Sequence, residues 1–345
     1  MRLLNDGGTN MRYDEDSYDI SKLIGKMINS YNGMMEVINH INAIMNKTKI
    51  LSLNSSIEAA RAGAAGRGFL VIATEISNFS KQSQDATNEG RKHMKDLNAD
   101  INSVVGVRTA DVAYDLMDKI DRSMYERQCD IRAWARLKTI REFAECFSEE
   151  KQAEVSDLLQ EYVEVFDVYE EIILTDANGT VIASGKNKDY IEQNLANEDW
   201  FKRCMRQNDG YISDMYYSEK LKTYTMSFSC PIVSENGKKV GVISSRLNWE
   251  AVYDIIDRAK IGETGEVYVI NKTGEVIASK NRMDILNRNL TDAYSAARDV
   301  ISGKEYGYEI EEINGEITAI IGYAHTKGYK SFSGKEWSVV VKEVF

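Results

Sequence analysis

A single proline, Pro231, occurs in 345 residues. Proline breaks helix interiors and removes a sheet donor, so its scarcity leaves room for long helices and uninterrupted strands. Cysteine is scarce as well. The four residues, Cys129, Cys146, Cys204 and Cys230, are widely scattered. None has metal-ligand or redox spacing, and they read as mostly buried, reduced thiols. Positive charge is outweighed: 43 Lys and Arg stand against 54 Asp and Glu, for a net charge of -11. That balance argues against a nucleic-acid partner. No apolar run approaches the roughly 18 residues that span a bilayer, and the start, Met1 to Gly8, has no signal-peptide core. A cytoplasmic protein without a membrane span is the expectation. Phosphate loops, nucleophile motifs and metal clusters are missing too, so no cofactor, no metal and no enzymatic activity are expected.

What is present begins with helical periodicity. Ile24, Tyr31, Ile38 and Met45 recur at heptad spacing, interleaved with Met27, Met34 and Ile41. Further on come Ile72, Ile76, Phe79, Ala86, Leu97, Ile101 and Val104. Spacing of three and four over several heptads predicts a coiled coil. Between the two segments lies Ile57-Glu-Ala-Ala-Arg-Ala-Gly-Ala-Ala-Gly-Arg-Gly-Phe69. Gly63, Gly66 and Gly68 sit where such a pattern must break, because glycine turns a helix end without a side-chain penalty. The prediction is an all-α antiparallel hairpin over 20–106, with arms of roughly 40 residues or 60 Å, preceded by a flexible stretch 1–19. Each hairpin alone leaves an apolar stripe that a second copy would cover, giving a four-helix bundle as a dimer.

The residues from Leu51-Ser-Leu-Asn-Ser-Ser-Ile-Glu-Ala-Ala-Arg-Ala-Gly63 through Gly66-Arg-Gly-Phe-Leu-Val-Ile-Ala-Thr-Glu-Ile76 resemble the signalling tip of methyl-accepting chemotaxis proteins. The resemblance covers about Ile41 to Asn88. It implies a homodimer, with trimers of dimers as a further assembly, docking a histidine kinase (CheA) and a coupling protein (CheW). It places Asn54, Glu58, Arg61, Arg67, Phe69, Val71 and Glu75 on contact positions. The chain departs from the family at Asn46, Lys47-Thr48-Lys49 and Ser77, which border the trimer contact. Paired Glu/Gln sites of the kind receptor methyltransferases modify are not found, so adaptation by methylation is not expected.

From about Gly106 the pattern changes. Val112, Leu116, Ile120, Met124, Ile131 and Trp134 suggest an amphipathic helix, and Val155 to Phe166 another. Then Glu171-Ile-Ile-Leu-Thr-Asp-Ala-Asn-Gly-Thr-Val-Ile-Ala-Ser184 repeats as Glu266-Val-Tyr-Val-Ile-Asn-Lys-Thr-Gly-Glu-Val-Ile-Ala-Ser279. Each copy reads as a β-hairpin with a glycine turn. Lys222 to Cys230 alternates Tyr224, Met226 and Phe228 against Thr223, Thr225, Ser227 and Ser229, which marks a strand with two different faces. The second copy offers Tyr308 to Glu312, a turn at Asn314-Gly315, Ile317 to Gly322, and a strand from Trp337 to Val344.

A helix followed by two such α+β units is similar to the double Cache sensors. Trp200-Phe-Lys-Arg-Cys, Ser229-Cys-Pro-Ile-Val, Asn236-Gly-Lys-Lys-Val-Gly-Val-Ile and Gly262-Glu-Thr-Gly-Glu-Val-Tyr-Val-Ile carry the resemblance. It implies two PAS-like modules on a long helix over 107–345: helical at 107–166, first module 167–257, second module 258–345. Ligand in that family usually sits in the first module, beneath the loop that carries the tryptophan. Here the candidates are Trp200, Phe201, Asp214, Tyr216, Tyr224 and Arg246, with Tyr217 beside them. The aromatics offer flat walls with hydroxyl tips, although most aromatic side chains serve the core. Amino-acid-binding relatives carry Arg-x-Trp-Tyr and a late Asp, where this chain has Glu198-Asp-Trp-Phe and Arg246. Both charges are reversed, so a small organic ligand such as a carboxylate is expected rather than an α-amino acid. Arg246 has two readings at this point: a carboxylate fork, or a structural ion pair with Glu198 or Asp214.

The order of parts is unusual, with the tip first and the sensor second. Two functions remain open on the sequence. One is a soluble chemoreceptor that controls a kinase. The other is a non-sensing array protein whose degenerate Cache domain only aids dimerisation.

Overall fold

The computed structural model describes residues 20–262, 265–313 and 316–344. The stretch 1–19, expected to be flexible, and the turn expected at Asn314-Gly315 lie outside the described residues. The chain forms two compact units, which part between Val107 and Arg108.

The first unit is built from α1 (Ile20–Arg61) and the start of α2 (Arg67–Trp134), joined by a 3-10 turn, Gly63–Gly66. Ser80 Oγ donates to the Met45 carbonyl at 3.0 Å and Arg91 Nη2 to Asn39 Oδ1 at 2.9 Å, so the arms run antiparallel. Two of the three tip glycines are required. Gly63 takes φ +60, and a methyl on Gly66 would overlap the Ala59 carbonyl oxygen. Gly68, expected to break the pattern too, is an ordinary helical residue of α2 with open space around it.

The seam between the arms differs from the heptad reading. Ile24 and Ile38 face the seam as expected, but nearer the tip it closes on small groups: Ser52, Ala59, Ala73 and Ser80 are buried. Ile72, Ile76, Phe79, Leu97 and Val104 are exposed, as are Met27, Met34 and Ile41. Small residues let the two backbones approach, and the larger side chains then fall beside the seam as a second, unburied stripe.

In the second unit, α2 continues to Trp134 and is followed by α3 (Lys138–Glu145) and α4 (Glu149–Phe166). Next come β1 (Tyr169–Asp176), β2 (Val181–Ser184), α5 (Asp199–Arg206), β3 (Tyr211–Ile212), β4 (Tyr216–Ser218), β5 (Thr223–Thr225), β6 (Ser227–Val233), β7 (Lys239–Leu247) and α6 (Glu250–Asp257). The chain ends with β8 (Glu266–Ile270), β9 (Val276–Ser279), α7 (Ser295–Ile301), β10 (Tyr306–Ile313), β11 (Glu316–His325) and β12 (Ser338–Val344). The strand expected over Lys222 to Cys230 is two strands, β5 and β6, parted at Met226. Its first part pairs with β4 as a separate hairpin.

The internal repeat becomes a repeat of topology. One sheet runs β2-β1-β7-β6-β3, and the other β10-β11-β12-β8-β9, the same order read from its far edge. The turns match atom for atom. Asp176 Oδ1 accepts from the Asn178 and Thr180 backbone N–H groups, and Asn271 Oδ1 from those of Thr273 and Glu275. Asn194 Nδ2 then donates to the Asn178 carbonyl, as Asn289 Nδ2 does to that of Thr273. The repeat therefore extends past the two hairpins read from sequence.

Both sheets share one apolar core with α2 to α4. Trp249 and Trp337 meet edge to face at 5.8 Å where the modules join, and Trp249 Nε1 donates to the Ile277 carbonyl. Helix α2 lies flush on β11, since a methyl on Gly322 would overlap the backbone of Thr109 and Ala110. The loop after β11 clamps the same helix: Asp121 accepts from Thr326 Oγ1 at 2.6 Å and from the backbone of Lys327 and Gly328. Burial pushes the Asp121 carboxyl above its ordinary range, against the pull of these three donors. All four cysteines are free thiols. Only Cys204 is buried, and burial pushes its thiol up to about 12. Cys146 is exposed because it caps α3 at the loop into α4, which corrects the reading of the thiols as mostly buried.

Candidate functional site

One face of the first sheet is polar. Antiparallel register sets Glu171 opposite Arg246 and Ile173 opposite Ser244, then Arg246 opposite Ser227 and Ser244 opposite Ser229. Alternation puts these side chains on one face, and sends Ile172, Leu174, Phe228 and Ile243 to the helix-packed core. Over the polar face lies a cap, whose own cluster holds Tyr190, Trp200, Phe201 and Cys204 against Ile173 and Val242.

Arg246 is the central charge, only 5% exposed. Its Nη1 donates to Ser244 Oγ at 2.6 Å and to the Ser245 carbonyl at 3.1 Å. Its guanidinium carbon stands 5.2 Å from the centre of the Trp200 ring. Neither Glu198 nor Asp214 forms an ion pair with it among the described contacts. Glu171, its register neighbour, is engaged elsewhere: its carboxylate accepts from the backbone N–H of Ile172 (2.9 Å), Lys186 (3.0 Å) and Asn187 (2.6 Å). These bonds pin the loop after β2. Nε and Nη2 of Arg246 are left with no protein partner among the described residues.

Tyr216 OH and Ser227 Oγ are 2.9 Å apart, and Ser229 Oγ and Ser244 Oγ 2.7 Å. Tyr190 is buried beside Arg246. Burial pushes its phenol up, while the Arg246 charge pulls it down. Lys220, at the β4–β5 turn, sets its ammonium 3.4 Å from the centre of the Tyr190 ring and donates to Gln193 Oε1 at 2.8 Å.

The structure thus brings together Trp200, Tyr216 and Arg246, with Phe201 anchoring the cap beneath Trp200. It does not bring in Asp214 or Tyr224. Asp214 Oδ1 accepts from Trp337 Nε1 at 2.9 Å and so belongs to the joint between modules. Tyr224 stacks edge to face with Tyr217 at 5.3 Å and packs against the main core, on the side of the hairpin away from Tyr216. Tyr190, Lys220, Ser227, Ser229 and Ser244 join the cluster without having been singled out as site residues. The alternation in Lys222 to Cys230 carried the signal for two of them, because its hydroxyl face, not its aromatic face, is the one under the cap.

The second module repeats the pair in the same register, with Glu266 opposite Lys342. There the two charges neutralise each other, Lys342 Nζ to Glu266 Oε2 at 3.0 Å. The first module therefore keeps a cation with no ion pair among the described contacts at a place where the second has one.

At the tip, Asn54, Glu58, Arg61, Arg67, Phe69, Val71 and Glu75 are all exposed. Phe69 is 71% and Val71 69% exposed. Glu58 and Arg61 pair loosely at 3.6 Å in the solvent. A groove of about 510 Å³ beside them is lined by Ala59, Ala62, Gly66, Phe69, Ile72 and Ala73 among others. No helix among the described residues is long and apolar enough to cross a membrane.

Comparison with known proteins finds two family matches that overlap along α2 to α4. The chain belongs to the Cache domain family, whose model matches residues 91–343. The methyl-accepting chemotaxis protein signalling domain matches residues 12–161. The methyl-accepting chemotaxis protein PscA of Pseudomonas syringae pv. tomato is 37% identical over 86 residues, which are 25% of this chain and 13% of that protein. Transducer protein Htr18 of Halobacterium salinarum is 41% identical over 87 residues, 25% of this chain and 10% of its own length. The chain thus matches only a small part of these curated relatives. Among solved structures, the ligand-binding domain of the Campylobacter jejuni chemoreceptor Tlp3, in complex with L-valine, aligns with a TM-score of 0.54 and 16% identity, over 69% of this chain and 91% of that one. The ligand-binding domain of the Pseudomonas aeruginosa chemoreceptor PctB, in complex with L-Arg, gives 0.51 and 14%, over 70% and 95%. At these identities the likeness shows the fold.

Proposed function

We infer that this chain is a chemoreceptor. Its Cache unit takes a small organic ligand under the first-module cap, and its helical tip controls a histidine kinase (CheA) through a coupling protein (CheW). The observation that carries the sensing half is the buried Arg246 guanidinium with open donors beside Trp200. A buried cation is costly unless something pairs with it, and an anionic group supplies the missing partner. Support for the signalling half comes from the tip motif, the match to the signalling domain, and the exposure of all seven contact candidates. The unburied stripe of Met27, Met34, Ile41, Ile72, Ile76 and Phe79 supports pairing of two hairpins into a coiled-coil four-helix bundle, because covering it removes apolar surface from water. Trimers of dimers would be a further step. A ligand that binds two arrangements of the sensor unequally would shift the population of signalling states.

The docking role is tested at Glu58 and Arg61. Their ion pair is fully solvated and worth little to folding. Glu58→Lys and Arg61→Glu should each change stability by no more than about 0.5 kcal/mol and keep full helicity. Both should abolish co-sedimentation with the kinase and coupling protein. Retained co-sedimentation in both variants would refute the docking role.

A further inference from the structure

The hydrogen-bonding groups under the cap do not balance, and the imbalance specifies a ligand class. Arginine has donors only, so the bond from Arg246 Nη1 makes Ser244 Oγ an acceptor. Ser244 and Ser229 bring two hydroxyl protons and use one between them, leaving one without an acceptor among the described contacts. Tyr216 and Ser227 likewise share one proton of two. The Tyr190 hydroxyl has no hydrogen-bond partner among the described contacts. To these are added Nε–H and the Nη2 protons of Arg246. Carboxylate acceptors are mostly taken: Glu171 has three of its roughly four acceptor positions filled by backbone donors, and Asp214, outside the cluster, is held by Trp337 and the Met215 backbone N–H. Ser245 O is taken by Arg246 itself.

A donor-rich, acceptor-poor site is completed by oxygen atoms with lone pairs. A carboxylate fits the open edge of the guanidinium as a fork, and a second oxygen next to it answers the serine and tyrosine protons. An ammonium group is the opposite: three donors, no acceptor, and a positive charge beside Arg246. Resting on the reading of this cluster as the ligand site, we propose that it takes small carboxylic acids with an adjacent oxo or hydroxyl oxygen and rejects the amino acids of the same skeleton. Specificity against the amine then comes from donors left without an acceptor and from like-charge repulsion, the kind of discrimination that exceeds what apolar shape alone achieves.

The test uses matched trios on the full chain: pyruvate, L-lactate and L-alanine; oxaloacetate, malate and L-aspartate. Thermal shift and calorimetry read binding, since a compound that binds only the native state raises the melting temperature. In at least one trio the oxo or hydroxy acid should bind at least about tenfold more tightly than the amino acid. Tyr190→Phe keeps the ring and removes one unanswered proton, and should weaken the acid about fivefold. Amino acids binding as well as the acids, with loss on Arg246→Ala, would overturn the ligand class and leave the site standing. Acid binding untouched by both Arg246→Ala and Tyr190→Phe would overturn the site itself, and so would silence from all six compounds.

Discussion

Replacing Glu343 with alanine should destabilise the Cache unit by about 3–5 kcal/mol, the cost of stripping one partner from a buried ion pair. Arg108 Nη1 and Glu343 Oε1 are 3.0 Å apart, with side chains only 13% and 9% exposed. The pair fixes more than itself. Arg108 Nη2 donates to the Lys260 carbonyl at 2.9 Å, and the Gly262 backbone N–H donates to the same Glu343 oxygen at 3.2 Å. These contacts tie the first residue of the Cache unit to β12 and to the segment between the two modules. At roughly 2–4 °C per kcal/mol for a unit of this size, the melting temperature should fall by about 10 °C. Glu343→Gln, which keeps an acceptor, should fall less. A shift under about 2 °C for Glu343→Ala would mean that the pair contributes no more than a surface one.

Arg246→Ala should weaken acid binding by about 2 kcal/mol or more, the range for truncating one partner of a buried charged pair. That is roughly thirtyfold in Kd. The variant loses the fork and the orienting bond to Ser244 together. Arg246→Lys should also weaken binding, because an ammonium cannot present two parallel donors. Calorimetry on both variants, after their unliganded melting temperatures show an intact fold, decides the matter. Unchanged affinity in both would make Arg246 a structural residue.

The sequence carried the architecture through its repeats. Glu171 to Ser184 and Glu266 to Ser279 fold to the same hairpin because each has an Asp or Asn whose side-chain oxygen closes the turn ahead of a left-handed glycine, Gly179 or Gly274. The tip was legible because Gly66 has no room for a side chain. Three things were not legible. Heptad spacing does not say which apolar stripe faces the partner arm, and here Ser52, Ser80 and Ala73 take the seam while Phe79 and Ile72 stay outside. Period-two alternation does not say which face meets the cap. Tyr224 is a pocket candidate on the sequence, yet its face, shared with Phe228, is core, and Ser227 and Ser229 lie on the face under the cap. The fate of a carboxylate cannot be read from its charge either. Asp214 is held by Trp337, more than a hundred residues away in sequence, and Glu171 by the backbone of the loop beyond β2.

Kinase autophosphorylation, in a mixture of the full chain, the histidine kinase and the coupling protein, tests ligand control most directly. It is measured with and without saturating malate or pyruvate, whichever raises the melting temperature more, in the wild type and in Arg246→Ala. The wild-type rate should change with the acid in either direction, and the Arg246→Ala rate should not, while both chains still co-sediment with the kinase. A wild-type rate that stays the same with the acid bound would contradict ligand control and leave an array protein that does not sense.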